Sequence, residues 1–290
     1  MRVTRAEDAT DRLLEELAHH QARTEAYYRG IEKAGLSANW ARSTRHTYGT
    51  PCNKMSSMDP SHLYIDQRLV GMCVHCGAEP TTRDHIPSKV LLDEPYPPDL
   101  PVLNSCADCN VGCSLDEQYL SCFIECVISG TAIPANLRRT KVQRVLTEQT
   151  KLQSRIASSM RIGLDGAPLW EPESQRVRNV ILKLARGHAA YELYPKFEEP
   201  DHIGILPLPT LGVRARQAFE GGDSSIFEPW PEIGSRAFMR ASGGKPDPFP
   251  QIGDWIIVQP GRYRYAVKET GGVSVRIALS EYLACEVSWK

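Results

Sequence analysis

Two C-x-x-C pairs constrain the fold of this chain more than any other feature: Cys73-Val-His-Cys76 and Cys106-Ala-Asp-Cys109. Each pair puts two sulfurs on one tight turn, and two such turns brought together make the tetrahedral, substrate-closed donor set of structural zinc. The pairs are separated by 29 residues, longer than the roughly 15–20 of a common zinc ribbon, so a folded element such as a β-hairpin must fit between them. Nine Cys could suggest disulfides, but the chain runs to 290 residues and carries no export signal. Metal ligation in a reducing compartment is the better account of the paired thiols. The other five, Cys52, Cys113, Cys122, Cys126 and Cys285, read as small buried apolar side chains. His75 lies inside the first pair and reads as a bystander, because four thiolates already complete the set.

Around these pairs the chain alternates helical and strand patterns. Residues 6–34 repeat apolar positions at helical spacing and predict one amphipathic helix, and 37–62 reads as a polar arm. Residues 73–110 are rich in turn formers and predict strands and loops. Ser114 and Glu117 then form an S-x-x-E capping box that places a helix start near Leu115. Between 136 and 187 two helices are expected, one with the stripe Val142, Val145, Leu146, Leu152, Ile156, the other with Val177, Val180, Ile181, Leu184 and an end at Gly187. In that stretch Arg138, Arg139, Lys141, Arg144, Lys151, Arg155 and Arg161 stand against Glu148 as the acid, a bias that suits either a solvated face or a phosphate-tracking surface. Residues 187–250 are mostly loop with a few short strands such as IGILPLP. The C-terminal runs DWIIVQ, RYRYAV, VSVRIA and YLACEVSW, broken by turns, predict an antiparallel meander. The alternation Arg262, Tyr263, Arg264, Tyr265 fits nucleic-acid stacking or cross-strand packing equally well.

The formal net charge of −1 excludes a global basic field, so polyanion binding must come from local patches. The N-terminal MRVTRAEDATDRLLEEL has no continuous apolar core, and no later run reaches the length needed to span a bilayer. A cytoplasmic protein without a membrane partner is expected.

Between the cysteine pairs stands Thr81-Thr-Arg-Asp-His-Ile-Pro87, and Asn110 directly follows the last Cys. The order C-x-x-C, D-H-I-P, C-x-x-C-N, with S-x-D-E beyond it, resembles the HNH or ββα-metal nucleases of bacterial type over about 73–119, less than a fifth of the chain. The resemblance implies a hairpin bearing Asp84 and His85 with Asn110 on the following helix. It assigns Asp84 and Asn110 as ligands of a Mg²⁺ or Mn²⁺ ion, His85 as general base, and zinc as the structural metal. Such chemistry is sound for phosphodiester hydrolysis: an imidazole takes the proton of the attacking water and a hard cation on oxygen ligands offsets charge on the phosphate. Neighbouring residues on a regular strand point to opposite faces, so the resemblance further implies a twisted hairpin end. The chain departs from the family at the middle Asn that orients the His. That place falls nearest Asp99, with Asn104 a second candidate, and either could accept the imidazole N–H. Lys89 is a candidate phosphate contact, with Arg138, Arg139, Lys141 and Arg144.

The expected fold class is therefore α+β: a helical N-terminal arm over 1–66, a zinc-stapled nuclease module over 67–130, and a C-terminal region of helices and antiparallel sheet over 131–290 that selects substrate or partner. The expected activity is endonucleolytic cleavage of DNA leaving a 5′-phosphate and a 3′-hydroxyl, by family analogy in phage defence or restriction, with a protein partner or activator bringing the substrate. The alternatives are a ribonuclease using the same centre and a zinc-stapled binding adaptor without catalysis.

Overall fold

In the computed structural model the segment between the cysteine pairs is an antiparallel hairpin of two four-residue strands, β1 (Thr82–His85) and β2 (Val102–Ser105), in unbroken register from Thr82 opposite Ser105 to His85 opposite Val102. The structure describes residues 67–163, 168–221, 231–244 and 249–290; the helix expected over 6–34 and the arm over 37–62 lie outside them. The described fold is mixed, with helices and antiparallel sheets. No described helix is long and apolar enough to cross a membrane.

Cys106 sits at the N-cap with extended backbone, and helix α1 (Ala107–Ser129) starts directly behind it. This start is two turns earlier than the capping box suggests. Residues 107–114 include Asn110 and Gly112 and are poor helix formers, so sequence pattern alone favours a later start; entry from β2 through Cys106 imposes the earlier one. Ser114 is thus mid-helix, its hydroxyl donating to Val111 O at 2.7 Å, and Glu117 turns to a tertiary partner instead of capping. From Glu117 to Cys126 every α1 residue except Gln118 is buried, as a helix packed on all sides requires. Gly130 ends it at φ +66°, its N–H reaching Cys126 O and Val127 O, the left-handed cap that glycine adopts without a Cβ clash.

The first basic stripe is broken at Gln149, which leaves helical geometry between α2 (Thr140–Glu148) and α3 (Thr150–Ser158), so three helices occupy the stretch where two are expected. A short hairpin of β3 (Met160–Ile162) and β4 (Pro168–Trp170) follows. Helix α4 (Ser174–Glu192) continues past Gly187. Gly187 does not end the helix because its role is close approach: a Cβ there would lie 2.6 Å from Ile86 Cδ1, so the bare backbone lets the Asp84-His85-Ile86 segment seat on α4.

The meander is present. Strands β6 (Gln251–Ile252), β7 (Trp255–Gln259), β8 (Tyr263–Glu269), β9 (Val273–Leu279) and β10 (Leu283–Trp289) pair consecutively, except that β5 (His202–Pro207), the IGILPLP segment, closes the far edge on β10. Ile181 and Leu184 of α4 share one buried cluster with Tyr263, Tyr265, Ile277 and Val287 of the sheet and with Tyr119, Leu120 and Phe123 of α1. This cluster draws on residues from Leu91 to Trp289, and a second, smaller one of Leu69, Val74, Ile86, Leu103, Ala190 and Tyr191 lies between the hairpin and α4. Helix α5 (Val213–Glu220) is tied to the opposite sheet face: Arg276 donates to Ala218 O and Phe219 O, and Arg264 pairs with Glu220 and Glu281 over the Trp255 ring. The Arg-Tyr alternation of β8 is thereby spent on packing, with Tyr263 and Tyr265 in the core. His188 is fully enclosed between them, stacked on Tyr265 and bonded to Tyr263 Oη at 2.7 Å, and burial holds it neutral with a pKa near 3. Helix α6 (Arg236–Ala241) completes the set, with Ser235 capping it through Phe238 N–H.

The Gly187–Ile86 contact is open to direct test. Helix propensity favours Gly→Ala by about 1 kcal/mol, yet the Cβ clash should make Gly187→Ala destabilising by about 1–2 kcal/mol overall, read as a lower denaturant midpoint. Ile86→Val, which lacks the Cδ1, should recover part of the loss in the double variant. A raised midpoint for Gly187→Ala alone would show that Ile86 swings clear at no cost.

Candidate metal centre and the Asp84–His85 hairpin

The four sulfurs of Cys73, Cys76, Cys106 and Cys109 all lie within 4.8 Å of one another. Cys76 Sγ and Cys106 Sγ are 3.7 Å apart, close to the roughly 3.8 Å edge of a tetrahedron built on zinc–sulfur bonds of about 2.3 Å. The residues therefore fit a structural zinc ion. The first turn is shaped by Gly77 at φ +78°, whose N–H returns to Cys73 O at 2.8 Å. Burial works against ionisation of Cys73, but the backbone donors of Cys106, His75 and Cys76 outweigh it and bring the thiol down to about 6, whereas the neighbouring sulfurs help to push Cys76 and Cys109 up; four crowded thiols need a cation before all can ionise.

The hairpin is held on both edges. Ile86 N–H donates to Pro101 O, so even-numbered residues of β1 carry the ladder bonds and the carbonyl of Arg83 turns to the outer edge. Asn110, in the first turn of α1, meets that edge: its Nδ2 donates to Arg83 O at 2.9 Å and to Thr82 Oγ1 at 3.2 Å. A carbonyl can only accept, so the amide NH₂ must face β1 and the amide oxygen is left without a protein partner among the described residues. On the other edge Val74 N–H donates to Asn104 O at 3.0 Å, which docks the first cysteine turn onto β2.

Asp84 is buried, and both of its bonds fall on Oδ2: Lys183 Nζ at 2.9 Å and His75 Nε2 at 3.2 Å. Lys183 also reaches Glu117 Oε1 at 2.8 Å. Burial raises the Asp84 carboxyl, but the His75 bond and the Lys183 charge more than offset it and hold Asp84 below its ordinary range. Glu117 goes the other way: burial outweighs Lys183 and raises it. Burial likewise disfavours the charged Lys183, and Glu117 and Asp84 reverse that and raise its pKa. A cleft of about 300 Å³ between α1 and α4 reaches His75 and Lys183 of this group, with Asp116, Asn179 and Arg186 also in its lining.

The unbroken register carries the pleat through His85, so Asp84 faces α1 and α4 while His85 shares the opposite face with Arg83 and Asn104. Asn110 binds the outer edge of the same strand, between the two faces on which Asp84 and His85 stand. Asn104 lies diagonally from His85 on its face, with its amide donating to Leu69 O. Asp99 is exposed in the turn before Leu100. Lys89 is exposed, with its ammonium 5.7 Å from the Tyr96 ring centre; Lys141 lies 5.0 Å from the same ring and bonds Tyr96 Oη and Lys89 O. Arg138 and Arg144 are exposed. Arg139 faces inward: its guanidinium binds Asp93, Ser121 Oγ and Leu92 O. Further along, Arg155 pairs with Glu173 and Arg161 with Glu171, acids outside the window where the bias is visible, so the exposed basic surface is smaller than the sequence suggests.

Three members of the site escape sequence reasoning: His75, Glu117 and Lys183. The one available signal is Lys183 beside Val180, Ile181 and Leu184, a cation flanking a buried stripe, which demands a buried partner. Comparison of the chain with models of known protein families, with curated proteins and with solved structures found no match.

Zinc removal should undo this whole arrangement. Purified protein is expected to carry one zinc per chain by elemental analysis, and Cys106→Ser, which cuts both the staple and the entry to α1, should abolish it and make residues 67–110 protease-sensitive. Full protease resistance of a metal-free Cys106→Ser protein would show that packing alone holds the hairpin.

Proposed function

We propose that the protein is a metal-dependent endonuclease of the HNH type acting on nucleic acid, DNA in the first instance. The carrying observation is that Asn110 is bonded to the outer edge of the very strand that bears Asp84 and His85, immediately behind the cysteine staple. Two strands and a helix thus come together with an amide oxygen and a carboxylate oxygen both unengaged by the described residues. In this reading Asp84 Oδ1 and Asn110 Oδ1 hold the divalent ion, a hard-donor pair suited to Mg²⁺ or Mn²⁺. When bound, the ion offsets charge on the phosphate and on the leaving oxygen.

The scissile phosphate lies along the outer edge of β1, which Asp84 and His85 flank from opposite sides. His85 takes the proton of the attacking water there, and Asn104, sharing its face, is the better placed of the two candidates to orient it; Asp99 stands away in the exposed turn. Lys89, Lys141, Arg138 and Arg144 track the backbone of the substrate, while Arg139 serves the core. Family analogy places such an activity in defence against foreign DNA.

The buried ion pair of Lys183 with Asp84 is the observation that favours a second reading, a zinc-stapled adaptor without cleavage. The two readings part in one assay. Zinc-loaded protein should nick supercoiled plasmid with Mg²⁺ or Mn²⁺ and not with EDTA, and His85→Ala should lose at least about 100-fold in rate. Zinc-loaded protein that cuts neither DNA nor RNA points to the adaptor, and cleavage of RNA alone to the ribonuclease. If the basic residues contact phosphates, Lys141→Gln and Arg144→Gln should each weaken nucleic-acid binding at low salt and reduce the slope of log affinity against log salt by about 1; an unchanged slope would remove that residue from the interface.

A further inference from the structure

The carboxylate of Asp84 is gripped from one end. Both donors that reach it, Lys183 Nζ and His75 Nε2, meet Oδ2, and no described residue meets Oδ1. The last torsion of an Asp side chain is broad, so a free Asp84 would present neither oxygen in particular. Two donors on one oxygen stop that rotation and leave Oδ1 as the oxygen that no described donor holds. Lys183 cannot follow Asp84 if it moves, because its ammonium is also tied to Glu117 on α1. The three charged side chains are only 5–6% exposed, an expensive arrangement whose removal in favour of apolar packing is often neutral or better for stability. Stability therefore gives a weak account of it. Charge gives a better one: two carboxylates against one ammonium leave the group with an excess of negative charge.

We propose that Lys183 is a positioning residue for the cation site. It holds Asp84 by Oδ2 so that Oδ1 is presented to the divalent ion, with Glu117 as the counter-charge that fixes Lys183 and His75 as the second grip. The proposal rests on the metal-dependent reading above. It makes Lys183, 99 residues beyond Asp84 in the chain, part of the centre, and it explains how Asp84 can be ion-paired and remain a ligand.

The test uses zinc-loaded full-length protein and Mn²⁺ alone as the probe, followed by electron paramagnetic resonance of the free ion, with thermal melting and zinc content measured beside it. In Lys183→Met/Glu117→Met the charges leave together and the volume is kept, so the protein should retain its zinc and melt within a few degrees of wild type. Its Mn²⁺ affinity should fall at least about tenfold, as for other supports of metal ligands. Lys183→Arg keeps the charge but seats a planar fork where a point donor stood, and its affinity should lie between the two. Mn²⁺ binding equal to wild type in Lys183→Arg, or in a folded double variant, overturns the assignment and leaves Lys183 as a neutraliser of Glu117. Wild-type protein that takes up no Mn²⁺ overturns the cation site itself, and the Lys183 assignment with it.

Discussion

Four sulfurs within 4.8 Å are the constraint on which the described site depends. A hairpin of two four-residue strands is marginal by itself in water, and most of β1 and β2 makes no large apolar contribution. The cysteine turns supply what the strands lack. The first turn docks on the β2 edge through Val74; the second sets Cys106 at the junction of β2 and α1, and so fixes the direction in which α1 leaves. That direction brings Asn110 to the β1 edge and drives the second half of α1 into the core. A change in the staple would therefore be felt at Asn110 and at Tyr119 alike.

The second organising element is the group Asp84, Lys183, Glu117 and His75. It joins the hairpin, the first cysteine turn, α1 and α4 at one place, where removing Lys183 would leave two buried carboxylates without their counter-charge. Gly187 works with it from one turn further along α4: the missing Cβ lets Ile86 seat against the helix that carries Lys183. Arg139 performs the corresponding task on the far side of α1, binding Asp93, Ser121 and Leu92 and thereby anchoring the loop between β1 and β2. Charged residues inside this protein are thus concentrated where segments distant in sequence meet.

Much of the framework was legible because its signals are local. The C-x-x-C turns, the hairpin between them, the meander with its turns and the apolar stripe of α4 each follow from residue type and period within a window of about ten residues. The start of α1 differs from the local signal for the same reason: Ser114 and Glu117 satisfy a local rule, yet Lys183 has the stronger claim on Glu117. Gly187 looked like a helix end because a cap is the commonest local use of glycine near one.

By itself the sequence determined that four thiols would converge, that a hairpin carrying Asp84 and His85 would fit between them, and that Asn110 would directly follow the last thiol. Covalent spacing and side-chain chemistry are enough for that. Only the tertiary structure decided what Asp84 touches, which of its oxygens stays free, that Arg139 turns inward while Arg144 does not, and that Arg155 and Arg161 find acids. Those outcomes depend on how α1 and α4 pack, and packing brings together residues whose separation along the chain carries no local signal.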